Sequence, residues 1–313
     1  MISKSKIILQ IIVIASVALS IFLYYQLSIR GFLDDWCSCK CEMDSEANLW
    51  QSERYNRSTH VFMNSKNGVL DFETFDWWTS LQGASTVANF TDLVEDLFSH
   101  FPDKDHYSDS SSSRCRSCAV VGNSGNLIGS HYGALIDSND FIIRMNQGPT
   151  AGFERDVGSI TTHRLIYPES AVDMDNNTHL VMVPFKILDL QWLISIFTTK
   201  HIDQTYMYVK PSLKADKNKV LILHPAFIKY IYESWLQRQG RYPSTGFISV
   251  VFALHICDEV NVFGFGATRD NAWHHYFDNF AINFNGGPHP GEYERNIITE
   301  LHQKKIIMMY KGW

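Results

Sequence analysis

The sequence predicts an α/β fold in which helices flank a mostly parallel sheet. From Cys118 onward, short apolar runs alternate with segments typical of helices, which is the order of elements in parallel sheets. The first apolar run, 118–121, leads directly into the polar, glycine-containing turn 122–126. Ligands of open α/β sheets bind where strands end, so this turn is the first candidate for a binding site.

Composition supports a globular protein and excludes two classes. The chain has 313 residues, of which 45% are hydrophobic and 13% aromatic, enough to fill a large core. The 27 basic and 33 acidic residues give a formal charge of −6, which excludes binding of nucleic acid by bulk charge. The high hydrophobic fraction excludes a disordered chain. The length fits about two domains or one large α/β domain.

The amino-terminal segment predicts a membrane anchor. Residues 7–29 carry no charge, and a transmembrane helix needs roughly 20 residues. A cleaved signal peptide is the alternative, but its apolar region is shorter and ends in small residues, whereas 22–26 is bulky. The sequence therefore predicts a cytosolic tail at 1–6, a signal anchor at 7–29, a stem at 30–60 and a luminal domain at 61–313.

Glycosylation and cysteine patterns agree with a luminal domain. Asn56, Asn89 and Asn176 each begin an Asn-x-Ser/Thr acceptor pattern. The six cysteines are even in number, and their spacing has no second Cys-x-x-Cys and no nearby histidine ladder for zinc. Disulfides are therefore expected.

The elements follow in chain order. Residues 72–101 have a helical pattern with polar interruptions, and a second helix is expected at 127–134. Five strands are predicted, at 118–121, 141–144, 179–183, 219–223 and 260–263. An apolar helix at 247–256 follows a proline turn, and the last strand leads into a turn with glycines at 264 and 266. The glycines at 122, 125 and 129 do not fit the dinucleotide-binding fingerprint.

Two groups of residues carry candidate chemistry. Ser244 and Thr245 precede the apolar helix, where free amides and hydroxyls can hold an anion, although a plain helix cap explains the pattern equally and is the commoner case. His274, His275 and His289 lie among turn residues, where a histidine can act as a general base. Zinc is a weaker interpretation, because no His-Glu-x-x-His helix accompanies them.

A pair of acidic residues raises the question of a metal site. Asp173 and Asp175, separated by one residue, look like the two-carboxylate element by which many sugar-nucleotide transferases chelate Mn²⁺. The pair runs directly into the acceptor pattern at Asn176, so a glycosylated surface loop is favoured and no metal is assigned.

Four motifs in a fixed order resemble those of the sialyltransferases of glycosyltransferase family 29. The long motif comprises 118–126, 140–141, 144–146, 156–158, 161–163 and 167–170, and the short motif 224–225, 242–246, 257–260 and 264–266. The third motif is 274–277, and the very short motif is His289 with Glu294. The resemblance covers the chain from about Cys118 to its end, and four motifs in order make it highly specific.

Within that family, two segments resemble the β-galactoside α-2,3-sialyltransferases that act on Gal-β-1,3-GalNAc. They are 148–154 and 224–230. Two departures adjoin the expected acceptor side: Phe277 stands where the third motif commonly ends in Trp, and the segment 283–288 is short. Acceptor choice is the property that these departures put in question.

The resemblance implies a variant GT-A, Rossmann-like fold and an inverting reaction. It implies CMP-sialic acid as the donor, no cofactor or metal, and galactose-ended O-glycans of glycoproteins or glycolipids as acceptors. It also implies a single-pass type II protein of the Golgi membrane with a luminal catalytic domain. The competing classes are a metal-dependent sugar-nucleotide transferase and a catalytically silent glycan-binding relative. The presence of both asparagines and both histidines of the motifs favours the enzyme.

The resemblance also implies roles for individual residues. His289 is carried over as the general base and His275 as the residue on the phosphate side. The donor site comprises Asn123, Asn146, Tyr206, Tyr242, Ser244, Thr245, Gly246 and Gly266, and the acceptor site Gln82 and Tyr242. The implied disulfides are Cys118–Cys257, Cys39–Cys115 and Cys37–Cys41.

Overall fold

A parallel sheet forms the centre of the molecule. The computed structural model describes residues 50–81, 89–109, 115–201, 208–278 and 288–312. Within these ranges the sheet has seven strands, all paired in parallel. They are β1 (Ser117–Val121), β2 (Phe141–Met145), β3 (His163–Ile166), β4 (His179–Met182), β5 (Val220–Ile222), β6 (Glu259–Phe263) and β7 (Met308–Tyr310). The fold class predicted from the sequence is confirmed for this part of the chain.

The strand order contains one reversal. Across the sheet the order is β5-β4-β3-β2-β1-β6-β7, so the chain builds outward from β1 in one direction and then places β6 on the other side of β1. At such a switch point the connections leave β1 and β6 toward opposite faces, which opens a crevice at the carboxyl ends of these two strands.

Helices cover both faces of the sheet. They are α1 (Phe72–Thr79), α2 (Phe90–His100), α3 (Gly133–Asp137), α4 (Glu154–Val157), α5 (Ile187–Phe197), α6 (Pro225–Tyr230), α7 (Thr245–Ile256) and α8 (Gly291–Gln303). A π-helical turn (Ile231–Trp235) extends α6, and short 3-10 turns occupy Gly125–Leu127, Pro168–Ser170 and Lys217–Lys219. The apolar helix predicted at 247–256 is α7, which is buried along most of its length and packs against β1, β2, β3 and β6.

A disulfide fixes α7 to the sheet. Cys118 in β1 and Cys257 at the end of α7 are bonded, with their Cα atoms 6.0 Å apart, which confirms the predicted pair. Cys115 is disulfide-bonded as well. The partner implied for it, Cys39, and the implied pair Cys37–Cys41 lie outside the described residues, so those pairings remain predictions.

The helix predicted at 127–134 is wrong. A 3-10 turn ends at Leu127 and α3 begins only at Gly133. Between them Gly129 and His131 have positive φ angles of 76° and 57°, which interrupt a right-handed helix. Asp156, 25 to 27 residues further along the chain, holds this interruption in place. Its carboxylate accepts hydrogen bonds from the amides of Gly129 (2.8 Å) and His131 (2.9 Å).

Two of the observed strands were not predicted from the sequence, and the five predicted strands are confirmed. Strand β3 begins with His163 and Arg164, both buried, and these polar residues hide it among turn-like sequence. Strand β7 has only three residues at the edge of the sheet. The five predicted strands match β1, β2, β4, β5 and β6 to within one or two residues at each end.

The last part of the predicted stem packs against the folded domain. The Trp50 and Trp235 rings are 6.2 Å apart, and the Tyr55 hydroxyl donates to the Leu254 carbonyl at 3.3 Å. Residues 50–60 therefore belong structurally with the domain rather than with a free stem. Nowhere in the described ranges is a helix both long and apolar enough to cross a membrane; the predicted anchor at 7–29 lies outside them.

Candidate active site at the switch point of the sheet

Two glycine turns meet at the carboxyl ends of β1 and β6. The Gly122 amide donates to the Phe263 carbonyl at 2.7 Å, and the Ser124 amide donates to the Gly264 carbonyl at 3.1 Å. A Cβ atom at Gly122 would lie 2.3 Å from that Gly264 oxygen, so only glycine permits this approach. The two turns therefore form the floor of the crevice, as the glycine pattern predicted.

Asn123 is held in the crevice by both neighbouring segments. Its side-chain amide donates to the Met145 carbonyl at the end of β2 (3.3 Å), and its own carbonyl accepts from the Tyr276 amide (2.9 Å). A Cβ atom at Gly148 would lie 2.4 Å from the Asn123 Oδ1 atom. The carboxamide is thus fixed between the β1 turn and the segment that follows β2.

Asn146 presents an unused acceptor. It has a φ angle of 53°, a left-handed conformation that asparagine tolerates better than most residues. Its Oδ1 atom is buried without a hydrogen-bond partner. A buried polar atom without a partner is rare and calls for a missing ligand or water. The side chain is therefore placed to accept a hydrogen bond from a bound molecule.

His275 is anchored to the β1 turn and paired with a carboxylate. Its backbone bridges to that of Ser124, whose hydroxyl donates to the Gly266 carbonyl at 2.6 Å. The His275 Nδ1 atom lies 2.9 Å from an Asp278 oxygen, and its ring stacks on Phe277 at 4.8 Å. A carboxylate oxygen can only accept, so Nδ1 carries a proton and Asp278 fixes the orientation of the imidazole ring. Phe277 thus supports the histidine ring directly.

His289 lies against a backbone carbonyl, whereas His275 lies against a carboxylate. Its Nδ1 atom lies 3.1 Å from the Tyr242 carbonyl, and its ring meets the Tyr242 ring edge-on at 4.8 Å. Burial lowers the pKa of His289 below its usual value of 6.5, so the imidazole is neutral at neutral pH. Because the carbonyl requires a proton on Nδ1, the lone pair is on Nε2. This is the tautomer that a general base needs.

The start of α7 already holds a carboxyl group from within the chain. The Ser244 amide and hydroxyl donate to the two oxygens of Glu294, at 2.7 and 2.6 Å. The Ser244 oxygen also accepts from the Phe247 amide at 3.1 Å, so it caps the helix. Burial raises the pKa of Glu294 from 4.5 to about 7. Ser244 therefore both caps the helix and holds an acidic group, but the acidic group in this structure is the side chain of Glu294.

The two halves of the site meet at Gly246. A Cβ atom there would lie 3.3 Å from the Phe265 ring and 3.6 Å from the Met145 Sδ atom. Gly246 thus connects α7 with the turn after β6 and with the end of β2. Thr245 beside it is buried, and Tyr242 packs its ring against Phe185 at 5.2 Å.

Predicted residues thus fall into three groups. Asn123, Asn146, Gly266 and His275 surround the strand ends, and Tyr242, Ser244, Thr245, Gly246 and His289 surround the start of α7. Gln82 and Tyr206 lie outside the described residues, so their assignments remain predictions. The acceptor-pattern residues Asn56, Asn89 and Asn176 are all exposed; Asn89 also caps α2 by accepting from the Thr91 amide at 3.2 Å.

Asp173 and Asp175, the acidic pair considered for a metal site, bond to groups of the protein. Asp173 accepts from the Lys214 amide (3.2 Å) and lies 3.6 Å from the Lys210 ammonium. Asp175 accepts from the amides of Asn177 (2.7 Å) and Thr178 (2.9 Å). Within the described ranges, no three His, Cys, Asp or Glu side chains come together in an arrangement that could hold a metal ion.

Two supporting residues were not identified from the sequence. Asp278 pairs with His275, and Ser124 joins the turns after β1 and β6. Asp278 lies three residues after His275, and this short spacing could have indicated the pair from the sequence. Ser124 lies in the predicted glycine turn, but its bond to Gly266 joins residues 142 apart and could not be inferred locally.

Comparison with known proteins agrees with this geometry. Residues 62–306 match the model of glycosyltransferase family 29 (sialyltransferase). The chain is 46% identical over 281 residues to the CMP-N-acetylneuraminate-beta-galactosamide-alpha-2,3-sialyltransferase 1 of Gallus gallus, covering 88% of this chain and 82% of that protein. It is 44% identical over 281 residues to the protein of that name from Homo sapiens, covering 88% and 83%.

A solved structure is similar over the same part of the chain. It is the crystal structure of a mammalian sialyltransferase in complex with Gal-beta-1-3GalNAc-ortho-nitrophenol. The TM-score is 0.82 at 45% sequence identity, and the match covers 88% of this chain and 100% of that chain. Four-fifths of the chain match the family model and the relatives exceed 40% identity, so this chain belongs to glycosyltransferase family 29, the sialyltransferases.

Proposed function

We propose that this protein transfers sialic acid from CMP-sialic acid to the 3-position of the terminal galactose of Gal-β-1,3-GalNAc glycans, with inversion and without a metal. The observation that carries the proposal is the His289 tautomer, neutral and with a free Nε2 lone pair, on the α7 side of the site that Gly246 connects to the strand ends carrying Asn123, Asn146 and His275. The names of the relatives and the ligand of the similar structure support the donor, linkage and acceptor.

The proposed mechanism divides the chemistry between the two histidines. A galactose hydroxyl does not ionise at neutral pH, so its proton passes to Nε2 of His289 as the new bond to the anomeric carbon forms. The bond from that carbon to the CMP phosphate breaks on the opposite face, which inverts the configuration. His275, oriented by its hydrogen bond to Asp278, stabilises the charge that develops on the departing phosphate.

The donor is proposed to lie across the strand ends. Asn123 and Asn146 face it there, with the unpartnered Oδ1 atom of Asn146 available to a donor hydroxyl or amine. Tyr242, Thr245, Gly246 and Gly266 complete the wall of the site. Ser244 contributes by holding the start of α7 through Glu294. Gln82 and Tyr206 are kept as proposed contacts by family resemblance.

The test uses the full chain solubilised in detergent, with CMP-sialic acid, EDTA and three acceptors. These are Gal-β-1,3-GalNAc, Gal-β-1,4-GlcNAc and GalNAc without galactose. We expect transfer to the first acceptor at the 3-position of galactose, unaffected by EDTA. Preference for another acceptor or position would assign a different sialyltransferase specificity. Dependence on Mn²⁺ would favour a metal-dependent transferase, and donor binding without transfer would favour a silent relative.

We also propose a single-pass type II Golgi membrane protein with a luminal catalytic domain. The uncharged segment 7–29 and the three exposed acceptor asparagines support this topology. The domain limits proposed are a tail at 1–6, an anchor at 7–29 and a stem that ends before residue 50, because 50–60 pack against the domain. Protease protection in sealed vesicles, with glycosidase digestion, tests the orientation.

A further inference from the structure

Two arginines lie side by side in the interior beneath the candidate site. Arg144 in β2 and Arg164 in β3 are register partners, so their side chains leave the sheet on the same face. Arg144 is 1% exposed and Arg164 is 8% exposed. Charged groups in protein interiors are normally paired with an opposite charge, because burial without one is costly.

The hydrogen bonds of Arg164 lead directly to the donor side of the site. Its Nη1 atom donates to the carbonyls of Asn146 (2.8 Å) and Gly148 (3.1 Å). These residues belong to the segment 146–149, in which Gly148 packs against Asn123 and the Pro149 carbonyl accepts from the Tyr276 hydroxyl at 2.6 Å. Arg164 therefore holds this segment from its interior side, and the segment carries Asn146 with its unpartnered Oδ1 atom.

Arg144 is likewise bonded only to neutral acceptors. Its Nη2 atom donates to the carbonyls of Val157 (2.7 Å) and Ile160 (2.9 Å), and its Nε atom to the Thr161 hydroxyl (3.0 Å). Its Nη1 atom is buried without a partner. Carbonyl dipoles satisfy the N–H groups but leave the unit charge largely uncompensated.

The described acidic residues do not neutralise this pair. No carboxylate among the described residues lies within 4 Å of either guanidinium group. Asp137 and Asp175 act on Arg144 and Arg164 only through space, and both bond to backbone amides instead. Burial lowers the pKa of Arg144 to about 10, so it stays charged at neutral pH.

A neighbouring tyrosine, Tyr276, adds no negative charge to the two arginines. Tyr276 interacts electrostatically with both arginines, but burial raises its pKa to about 12 and keeps the phenol neutral. The interior behind the 146–149 segment therefore carries two positive charges, and the adjoining crevice is where an anion would balance them. CMP-sialic acid, with its phosphodiester and its carboxylate, carries two negative charges.

We propose that Arg144 and Arg164 form a buried cationic pair that selects an anionic nucleotide ligand without touching it, with Arg164 also positioning the Asn146–Gly148 segment. The proposal rests on the proposed function, since it takes the donor to be a nucleotide monophosphate sugar. In the interior, a unit charge about 10 Å from a ligand charge changes binding on the order of tenfold. Both arginines are positioning residues rather than catalytic ones.

The test compares two ligands that differ only in the phosphate. Binding of CMP and of cytidine to the full chain is measured by calorimetry for the wild type, Arg164→Gln and Arg164→Lys. We expect Arg164→Gln to weaken CMP binding on the order of tenfold more than cytidine binding, because the lost positioning of Asn146 affects both ligands whereas the lost charge affects only CMP. Arg164→Lys, which keeps the charge, should retain most of the CMP preference. Equal losses for both ligands, or no loss for CMP, would overturn the proposal.

A measurement on the wild type avoids any dependence on variant folding. The ratio of CMP to cytidine affinity is measured at about 0.05 and 0.5 M KCl, because salt screens exposed charges strongly and buried ones much less. We expect the ratio to change less than about threefold. A ratio that collapses at high salt would assign the phosphate to surface cations. A wild-type protein that binds neither ligand would instead refute the proposed function.

Discussion

Glu294 makes folding stability depend on pH in a direction opposite to that of an ordinary surface carboxylate. It is 6% exposed, and its oxygens accept only the amide and the hydroxyl of Ser244 among the described groups. Burial raises its pKa from 4.5 to about 7, because two neutral donors do not replace the lost hydration. The folded protein therefore holds this proton more tightly than the unfolded chain does.

The magnitude follows from the two pKa values. The stability that Glu294 contributes is complete below its unfolded pKa of 4.5 and is lost as the pH rises through about 7. Each pKa unit corresponds to about 1.4 kcal/mol, so the loss between pH 5 and pH 8 is about 2 to 3 kcal/mol. In Glu294→Gln the side chain stays neutral at every pH. We therefore expect the variant to gain that amount of stability relative to the wild type over this range.

Urea unfolding at pH 5, 6, 7 and 8 measures the difference, with disulfides left intact. Glu292→Gln is the matched control, because Glu292 lies on the same helix with its side chain 70% exposed. Buried histidines such as His163 and His224 have lowered pKa values and lose stability as the pH falls below 6.5, but all three proteins share that effect. Parallel stability curves for the wild type and Glu294→Gln would refute the reasoning.

Three further predictions test the base, the disulfide and the acidic pair. His289→Ala should lower kcat by a factor on the order of 10²–10⁴ while the affinity for CMP-sialic acid is nearly kept. Initial rates measure kcat and calorimetry measures the affinity. The control is His131→Asn, because His131 is exposed and asparagine tolerates its φ angle of 57°. Near-normal turnover with lost donor affinity would reverse the two histidine roles. Replacing Cys118 and Cys257 together by Ser should lower the free energy of unfolding by about 5 kcal/mol, because the bond closes a loop of 139 positions; unchanged stability would contradict this. Asp173→Asn should keep the transfer rate within about twofold, since its partners are lysine groups on the surface; EDTA inhibition restored by Mn²⁺ together with an inactive variant would contradict it.

The parts of the site that could be predicted are those encoded by local sequence. The turns after β1 and β6 need glycine at 122 and 264 because their backbones meet there, so the glycine pattern located the two turns, while the roles of Asn123 and Gly266 came from family resemblance. The apolar run of α7 and the serine before it predicted the helix and its cap. The disulfide between Cys118 and Cys257 came from family resemblance and was confirmed.

The parts that could not be predicted depend on contacts between distant residues. The helix expected at 127–134 is prevented by Asp156, and the carboxyl group at the start of α7 is supplied by Glu294, fifty positions beyond Ser244. The pairing of Arg144 with Arg164 requires the register of β2 with β3, a strand whose polar start concealed it. Local propensity contains no information on such long-range partners.

The two histidines lie against different kinds of hydrogen-bond acceptor, and this difference suits them to different roles. His275 lies against a carboxylate on the strand-end side, where the buried arginines also lie, and this side is suited to an anionic leaving group. His289 lies against the Tyr242 carbonyl near the start of α7. A neutral base requires that no carboxylate raise its pKa. Burial lowers the pKa of His289, and no carboxylate of the described residues acts on it, while both oxygens of Glu294 accept from Ser244 instead.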